Sequence, residues 1–363
     1  MRKLYLPKPH SLHVTLRDVA KQSGVSIKTV SRVVNNQGEI SEATRHRVQK
    51  AIKSLGYRPN ILARSLVSRK SNTLAVVAWG LDYYGPSRTV AGVEQQSNEL
   101  GYSLFLNLIP NPDDPNVASI LDTLAARRVD GIVWAVPEVG RNREWIRPDW
   151  LEQLPPTVFL SMRPSPGLSV VAVDNRAGAA MVTQHLFDQG RRKIGLITGP
   201  LVWWEARERY EGWRETLLRA GLNPAPSLVV EGDWSAMSGD QGLRKLLAQQ
   251  PDVDAVFACN DQMALGALGA AHHLGRRVPQ DVALVGFDDT PESAYFWPPL
   301  TTVHQHVVDV GRVAVQVLHS HIQSPQPGKD NAKPSTTLLT PELVVRQSSL
   351  LTLQPSSQAV AVQ

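Results

Sequence analysis

LRDVAKQSGVSIKTVSRVVN, running from Leu16 to Asn35, sets two short helical patterns on either side of one glycine. Ala20 is small where two helices would cross, and Gly24 stands where a tight turn needs a positive φ angle. Val19, Val25, Val30 and Val33 are apolar at positions that bury between helices. Ser26 is a good N-cap for the second helix, which then presents Ile27, Lys28, Ser31 and Arg32 outward. These are the steric demands of a helix-turn-helix, whose second helix enters the major groove of DNA with its N-terminal residues on base edges. Arg32 suits a bidentate contact to guanine, Lys28 the same edge or a phosphate, and Ile27 a thymine methyl. Thr15, Thr29, Ser31 and Asn35 are candidate phosphate clamps, which position without specifying. The competing reading is a plain helical hairpin with a solvated charged face.

Charge separates this head from the rest. Residues 1–73 hold 15 Lys and Arg against 3 Asp and Glu, and the remainder 23 against 30, so the net +5 divides into +12 and −7. A basic head on an acidic body means that only the head meets a polyanion, although RNA-binding chains share this asymmetry. At 363 residues two or three domains are expected. The lone Cys259 excludes an intrachain disulfide and fits a reducing compartment. Met1–Leu6 imitates the start of a signal peptide, but Pro7, Lys8, Pro9 and His10 break it, and a cytoplasmic protein is expected.

Helical patterns occupy Leu16–Gln22, Ser26–Val34 and Glu42–Leu55, the third between the N-cap Ser41 and the stop Gly56. Asn60 caps a fourth short pattern, Ile61–Val67, followed by a polar linker. From Thr73 short apolar runs alternate with amphipathic segments, among them Leu74–Ala78, Ser103–Leu108, Gly131–Val136, Thr157–Leu160, Ile194–Thr198, Leu228–Val230, Ala255–Ala258 and Val282–Phe287. Such alternation predicts parallel sheets covered by helices on both faces, and the length fits two doubly wound lobes. Arg143–Pro156 and Ser324–Pro334 read as loop-rich insertions or connections.

Leu16–Asn35, followed by Arg58-Pro59-Asn60 and Ala63-Arg64-Ser65-Leu66, resembles the head of the lactose-repressor/galactose-repressor (LacI/GalR) family, and the likeness runs to about Gln347. The resemblance implies an all-α helix-turn-helix head with a hinge helix, then an α/β sensor of two doubly wound lobes like a periplasmic binding protein. The expected division is an extension over 1–13, the head over 14–59, hinge helix and linker over 60–72, the sensor over 73–348 and a tail over 349–363. Within the sensor, lobe 1 takes about 73–173 and 307–334, and lobe 2 about 174–306 and 335–348. The resemblance makes Leu66 a minor-groove wedge, with Asn60, Ala63 and Arg64 beside it; unstacking is repaid by bent, better-contacted DNA. Ile27 and Lys28 differ from the pair that reads bases in the family's founding member, so the operator should be a different palindrome.

Two further family signatures are Asn260–Gly266 and Val285–Asp289, the latter followed by Pro298-Pro299-Leu300-Thr301-Thr302-Val303. Both place polar side chains beyond the C-terminal ends of strands, where α/β sheets bind ligands. Position by position the resemblance assigns effector contacts to Asn260, Asp288, Arg209, Trp234, Gln305, Trp79 and Tyr83, with Ser161 and Val173 at two further sites. Asp288 accepts from vicinal hydroxyls, Arg209 donates, Asn260 does both, and the aromatics stack on a sugar's C–H face alongside Trp203 and Trp204. About half of the tryptophans are expected to be packing. The founding member has an acid at Ser161 and an aromatic at Val173, which argues against a galactoside.

No catalytic constellation is visible: Asp288 and Asp289 are adjacent at a strand end and point apart, so an enzyme is not expected. His272-His273 and His304/His306 lack companions at metal-ligand spacing, Cys259 reads as a small buried apolar residue, and no phosphate or dinucleotide loop suggests a cofactor. The expectation is therefore a homodimeric repressor of carbohydrate-utilisation genes, released from a palindromic operator by a sugar. The alternative is a regulator whose purine or other small-metabolite corepressor strengthens DNA binding. Leu350–Gln363 offers no heptads, which favours a dimer over a tetramer.

Overall fold

The computed structural model describes residues 14–35, 37–57, 70–113, 117–323 and 334–350. The chain divides into two compact units between Ser71 and Asn72.

The first unit holds α1 (Leu16–Ser23), α2 (Ile27–Val34) and α3 (Glu42–Leu55). Thr15 and Asp18 close a reciprocal capping box at the start of α1, with the Thr15 N–H donating to Oδ2 of Asp18 at 2.8 Å. Gly24 ends α1 at φ 65°, in the left-handed region that a side chain resists. Ser26 caps α2 by accepting from the Thr29 amide at 3.1 Å. Val19, Ala20, Val30 and Val33 then meet Val48 and Ala51 of α3 in one small core, against which the half-buried Val25 packs.

The second unit contains two sheets. Six strands form the first: β1 (Thr73–Ala78), β2 (Ser103–Leu108), β3 (Gly131–Ala135), β4 (Thr157–Leu160), β5 (Ser169–Val173) and β11 (Thr336–Leu339). Their order is β11-β5-β4-β3-β1-β2, and every pairing is parallel. Alternation along β1 sends Ala75 and Val77 to one core and Leu74, Val76 and Ala78 to the other, so both faces are buried. Helix α4 (Tyr84–Glu99) packs with α11 (Val307–Gln323) on the second of these faces. Between β2 and β3 lies α5 (Val117–Ala126).

The other sheet is β7 (Val229–Glu231), β6 (Ile194–Thr198), β8 (Ala255–Ala258) and β9 (Ala283–Val285), in that order and again parallel. Its helices are α7 (Asn175–Asp188), α8 (Trp204–Arg219), α9 (Ala236–Gln249) and α10 (Asp261–His273). A small antiparallel pair, β10 (Thr302–His304) with β12 (Glu342–Val344), completes the fold. The chain passes between the lobes after β5, between β10 and α11, and between β11 and β12.

One expectation needs correcting. Residues 335–348 do not all belong with the second lobe, because Thr336–Leu339 pairs with β5 in the first sheet. This edge strand is short and alternately exposed, and its partner is more than 160 positions away, so no local pattern reveals it. The loop-rich insertion Arg143–Pro156 contains α6 (Pro148–Leu151), and its Trp145 packs on Trp134 at 4.6 Å and on Phe159 at 6.2 Å between ring centroids.

Candidate functional site

On the first unit, the outward face of α2 carries Ile27, 44% exposed, with Lys28 in the first turn and Arg32 in the last, both exposed. Ser31 is half-buried and accepts from Nδ2 of Asn35 at 3.3 Å. Thr15 is exposed within its capping box, and Thr29 lies 2.9 Å from the Ser26 hydroxyl. Asn60, Ala63, Arg64 and Leu66 lie outside the described residues.

On the second unit, a cavity of about 620 Å³ opens between the two lobes. Eight of the nine sequence-predicted effector residues line it: Tyr83, Ser161, Val173, Arg209, Trp234, Asn260, Asp288 and Gln305. Trp79 does not. Its ring stands behind Tyr83 and Trp203, at 5.8 and 5.5 Å, with Nε1 donating to the Pro110 carbonyl at 3.3 Å. Of the nine tryptophans only Trp203 and Trp234 line the cavity, while Trp213 fills the second lobe's core.

The polar floor holds two sets of hydrogen bonds, one centred on Arg209 and one on Asn260. Arg209, on the inner face of α8, is 5% exposed. Its Nε donates to Oδ1 of Asn175 at 2.8 Å, Nη1 to the Cys259 carbonyl and Nη2 to Oε1 of Gln305 at 3.3 Å. Its guanidinium lies 3.9 Å over the Phe287 ring. Gln305 in turn donates to Oδ1 of Asp288. Burial raises the Asp288 carboxyl well above the ordinary carboxylate range, against the pull of Arg209. Asn260 is the N-cap of α10: Oδ1 accepts from the Met263 amide at 2.8 Å, and Nδ2 donates to the Trp234 carbonyl at 2.9 Å and to Gln262 at 3.1 Å. Both amide hydrogens are thereby engaged, so Asn260 orients the cavity's neighbours.

Backbone strain concentrates here. Ser161 (φ 51°), Trp234 (φ 73°) and Asp288 (φ 133°) are non-glycine residues in the positive-φ region, each costing on the order of 1–3 kcal/mol. Trp234 places its ring over Gly199, where a Cβ would lie 2.2 Å from ring carbons, and leaves its buried Nε1 without a partner.

Glu205 is the cavity residue that the sequence reading missed. It sits one helical turn before Arg209, on the same face of α8, and hydrogen-bonds Ser161. Burial raises its carboxyl, with Arg209 opposing. The i, i+4 spacing to Arg209 was the available signal.

Neighbouring groups have structural partners. Asp289 turns away from Asp288, to Arg346 at 2.7 Å and His304 at 3.0 Å. Cys259 is buried, and its thiol is pushed up to about 12 by that burial. His272 and His273 are exposed. Among the described residues no group of three or more His, Cys, Asp or Glu could hold a metal ion, and no helix is long and apolar enough to cross a membrane.

Comparison with known proteins covers both units. Residues 15–60 match the family model for bacterial regulatory proteins of the lacI family, and residues 183–349 the model for a periplasmic binding protein-like domain. The ribose operon repressor of Escherichia coli K12 is 37% identical over 338 residues, covering 92% of this chain and 99% of the relative. The HTH-type transcriptional repressor PurR of Haemophilus influenzae PittEE is 35% identical over 336 residues, covering 92% and 98%. Among solved structures, the Lac repressor dimer bound to operator and an anti-inducer superposes with a TM-score of 0.83 at 33% identity, covering 93% of this chain and 99% of that one. A complex of the transcriptional regulator CelR with cellobiose superposes with a TM-score of 0.65 at 34% identity, covering 92% and 99%.

Proposed function

Since the chain belongs to the lacI family of bacterial regulatory proteins, we propose that it is a homodimeric repressor of carbohydrate-utilisation genes, released from its operator by a sugar. In this reading α2 reads base edges through Ile27, Lys28 and Arg32, and the hydroxyls of Thr15, Ser26, Thr29 and Ser31, with Asn35, hold phosphates. Leu66, flanked by Asn60, Ala63 and Arg64, enters the minor groove. The protein works where chromosomal DNA lies and catalyses no reaction.

The observation that carries the sugar assignment is the Arg209–Gln305–Asp288 network facing the rings of Tyr83, Trp203 and Trp234 across one cavity. Buried, hydrogen-bonded donors and acceptors beside aromatic faces match the hydroxyl edge and C–H face of a pyranose. Val173 and Ser161 complete the wall from the first lobe, and Trp79 supports it from behind. The likeness to the ribose operon repressor and to a cellobiose-bound regulator supports this reading. The likeness to PurR supports the alternative, a purine corepressor stacked on the same rings.

A thermal-shift screen of mono- and disaccharides against purines tests the assignment. A sugar at 100 times its Kd stabilises the folded sensor by about 2.7 kcal/mol, a clear rise in melting midpoint. A rise with purines alone overturns the sugar assignment and selects the corepressor.

A further inference from the structure

Beside the cavity, through Trp203, the two lobes are joined by a contact outside the three chain crossings. Val139, beyond the end of β3, pairs antiparallel with Trp203 at the start of α8. The Gly140 N–H donates to the Val202 carbonyl at 2.8 Å, and the Trp204 N–H to the Glu138 carbonyl at 2.9 Å. Each lobe also plugs the other: Val139 is buried in the second lobe's core cluster, and Trp204 in the first lobe's. Trp203, held between them, packs on Tyr83 of the first lobe at 5.8 Å and on Trp234 of the second at 5.7 Å.

Glu138, 3% exposed, is the polar centre of this contact. It faces three guanidinium groups of unequal standing. Arg143, from its own lobe, donates to Oε2 at 2.8 Å and is 16% exposed. Arg163, also from the first lobe, is 3.8 Å away and 62% exposed. Arg207, from the second lobe, approaches Oε1 at 3.5 Å, is 40% exposed, and is held in place by the Leu201 and Val202 carbonyls. The pin within the lobe is short and dry, whereas the pair across the lobes is long and wet, so salt screens it.

We propose that residues 138–140 and 202–204 form a reversible latch over the effector cavity, with Glu138 as the positioning residue that holds Trp203 against it. Effector entry and exit require the latch to part at the Arg207 side, while Arg143 keeps Glu138 in register for reclosure. Because Trp203 both lines the cavity and belongs to the latch, an effector that touches its ring has unequal affinity for the open and closed lobes, the condition for shifting their balance. The proposal rests on the cavity being the effector site, but its test needs no effector.

The test is acrylamide quenching of tryptophan fluorescence in the full-length protein, with the Trp203 contribution taken as the difference from Trp203→Phe. Arg207→Ala should raise the open-to-closed ratio, and with it that contribution, by roughly 2- to 5-fold, and Arg207→Lys should largely restore it. Arg163→Ala, whose partner lies in the same lobe, should leave it unchanged. Wild-type protein should move the same way as salt is raised, which keeps the test open should a variant fail to fold. Trp203 quenching that ignores both Arg207 and salt overturns the latch, as does an equal response in Arg163→Ala. Either result leaves the sugar assignment to the thermal-shift screen.

Discussion

Gly199 determines where Trp234 can stand. The ring occupies the space a Cβ would need, so Gly199→Ala forces it 1 Å or more out of place, costing about 1–3 kcal/mol in the sensor. The expected outcome is a lower melting midpoint and loss of effector response with operator binding retained; an intact response would show that Trp234 is only packing. Asp261 gives a pH signature. Burial raises its carboxyl from 3.8 to about 6, despite hydrogen bonds from Thr290 and Thr302, so the folded sensor holds this proton more tightly than the unfolded chain. The resulting stability is complete below the ordinary carboxylate range and lost as pH rises through about 6. Melting midpoints between about pH 4 and pH 7 should therefore fall less steeply in Asp261→Asn than in wild type. Most of the cavity was legible because its side chains follow strand ends in recognisable motifs. Glu205 was not, since an acid on a charged helix looks solvated until the first lobe covers it.

Helix α2 shows what local chemistry can specify. Ser26 fixes its start and Gly24 its angle to α1, so Ile27, Lys28 and Arg32 emerge on one face. Arg32 lies in the last turn, one turn beyond Lys28, with its stem beside Gly38. Arg32→Ala should cost about 1–3 kcal/mol of operator affinity and relax specificity at one base position, measured by binding to a library of single-base operator variants. A uniform loss across the library would make it a phosphate contact instead. Helix α3 occupies Glu42–Leu55 as its sequence predicted: Gly56 ends it at φ 64°, while Ser41 begins it without a side-chain capping bond. By contrast, β5 and the three short strands β10, β11 and β12 were not read as strands. The last three have three or four residues each, and their partners lie far along the chain, so their signal is tertiary.

Apolar side chains left in the open across the molecule have a use. Trp297 is 93% exposed and Tyr295 88% on the second lobe, while Leu106 and Leu108 are 43% and 54% exposed on the edge strand β2 of the first. Large apolar groups so placed are costly on a free monomer and suit a subunit contact. Trp297→Glu should weaken the proposed homodimer by about 2 kcal/mol or more, seen as dissociation at micromolar concentration in analytical ultracentrifugation. An unchanged dimer would place the contact elsewhere. Control of the head by the cavity is tested by an operator titration at fixed salt with and without the sugar found by thermal shift, in wild type and Asp288→Ala. Coupling of about 1–3 kcal/mol should weaken wild-type operator binding roughly 5- to 150-fold, and the variant should bind operator normally without responding. Operator affinity that no cavity ligand changes, or an Asp288→Ala protein that still responds, would contradict it.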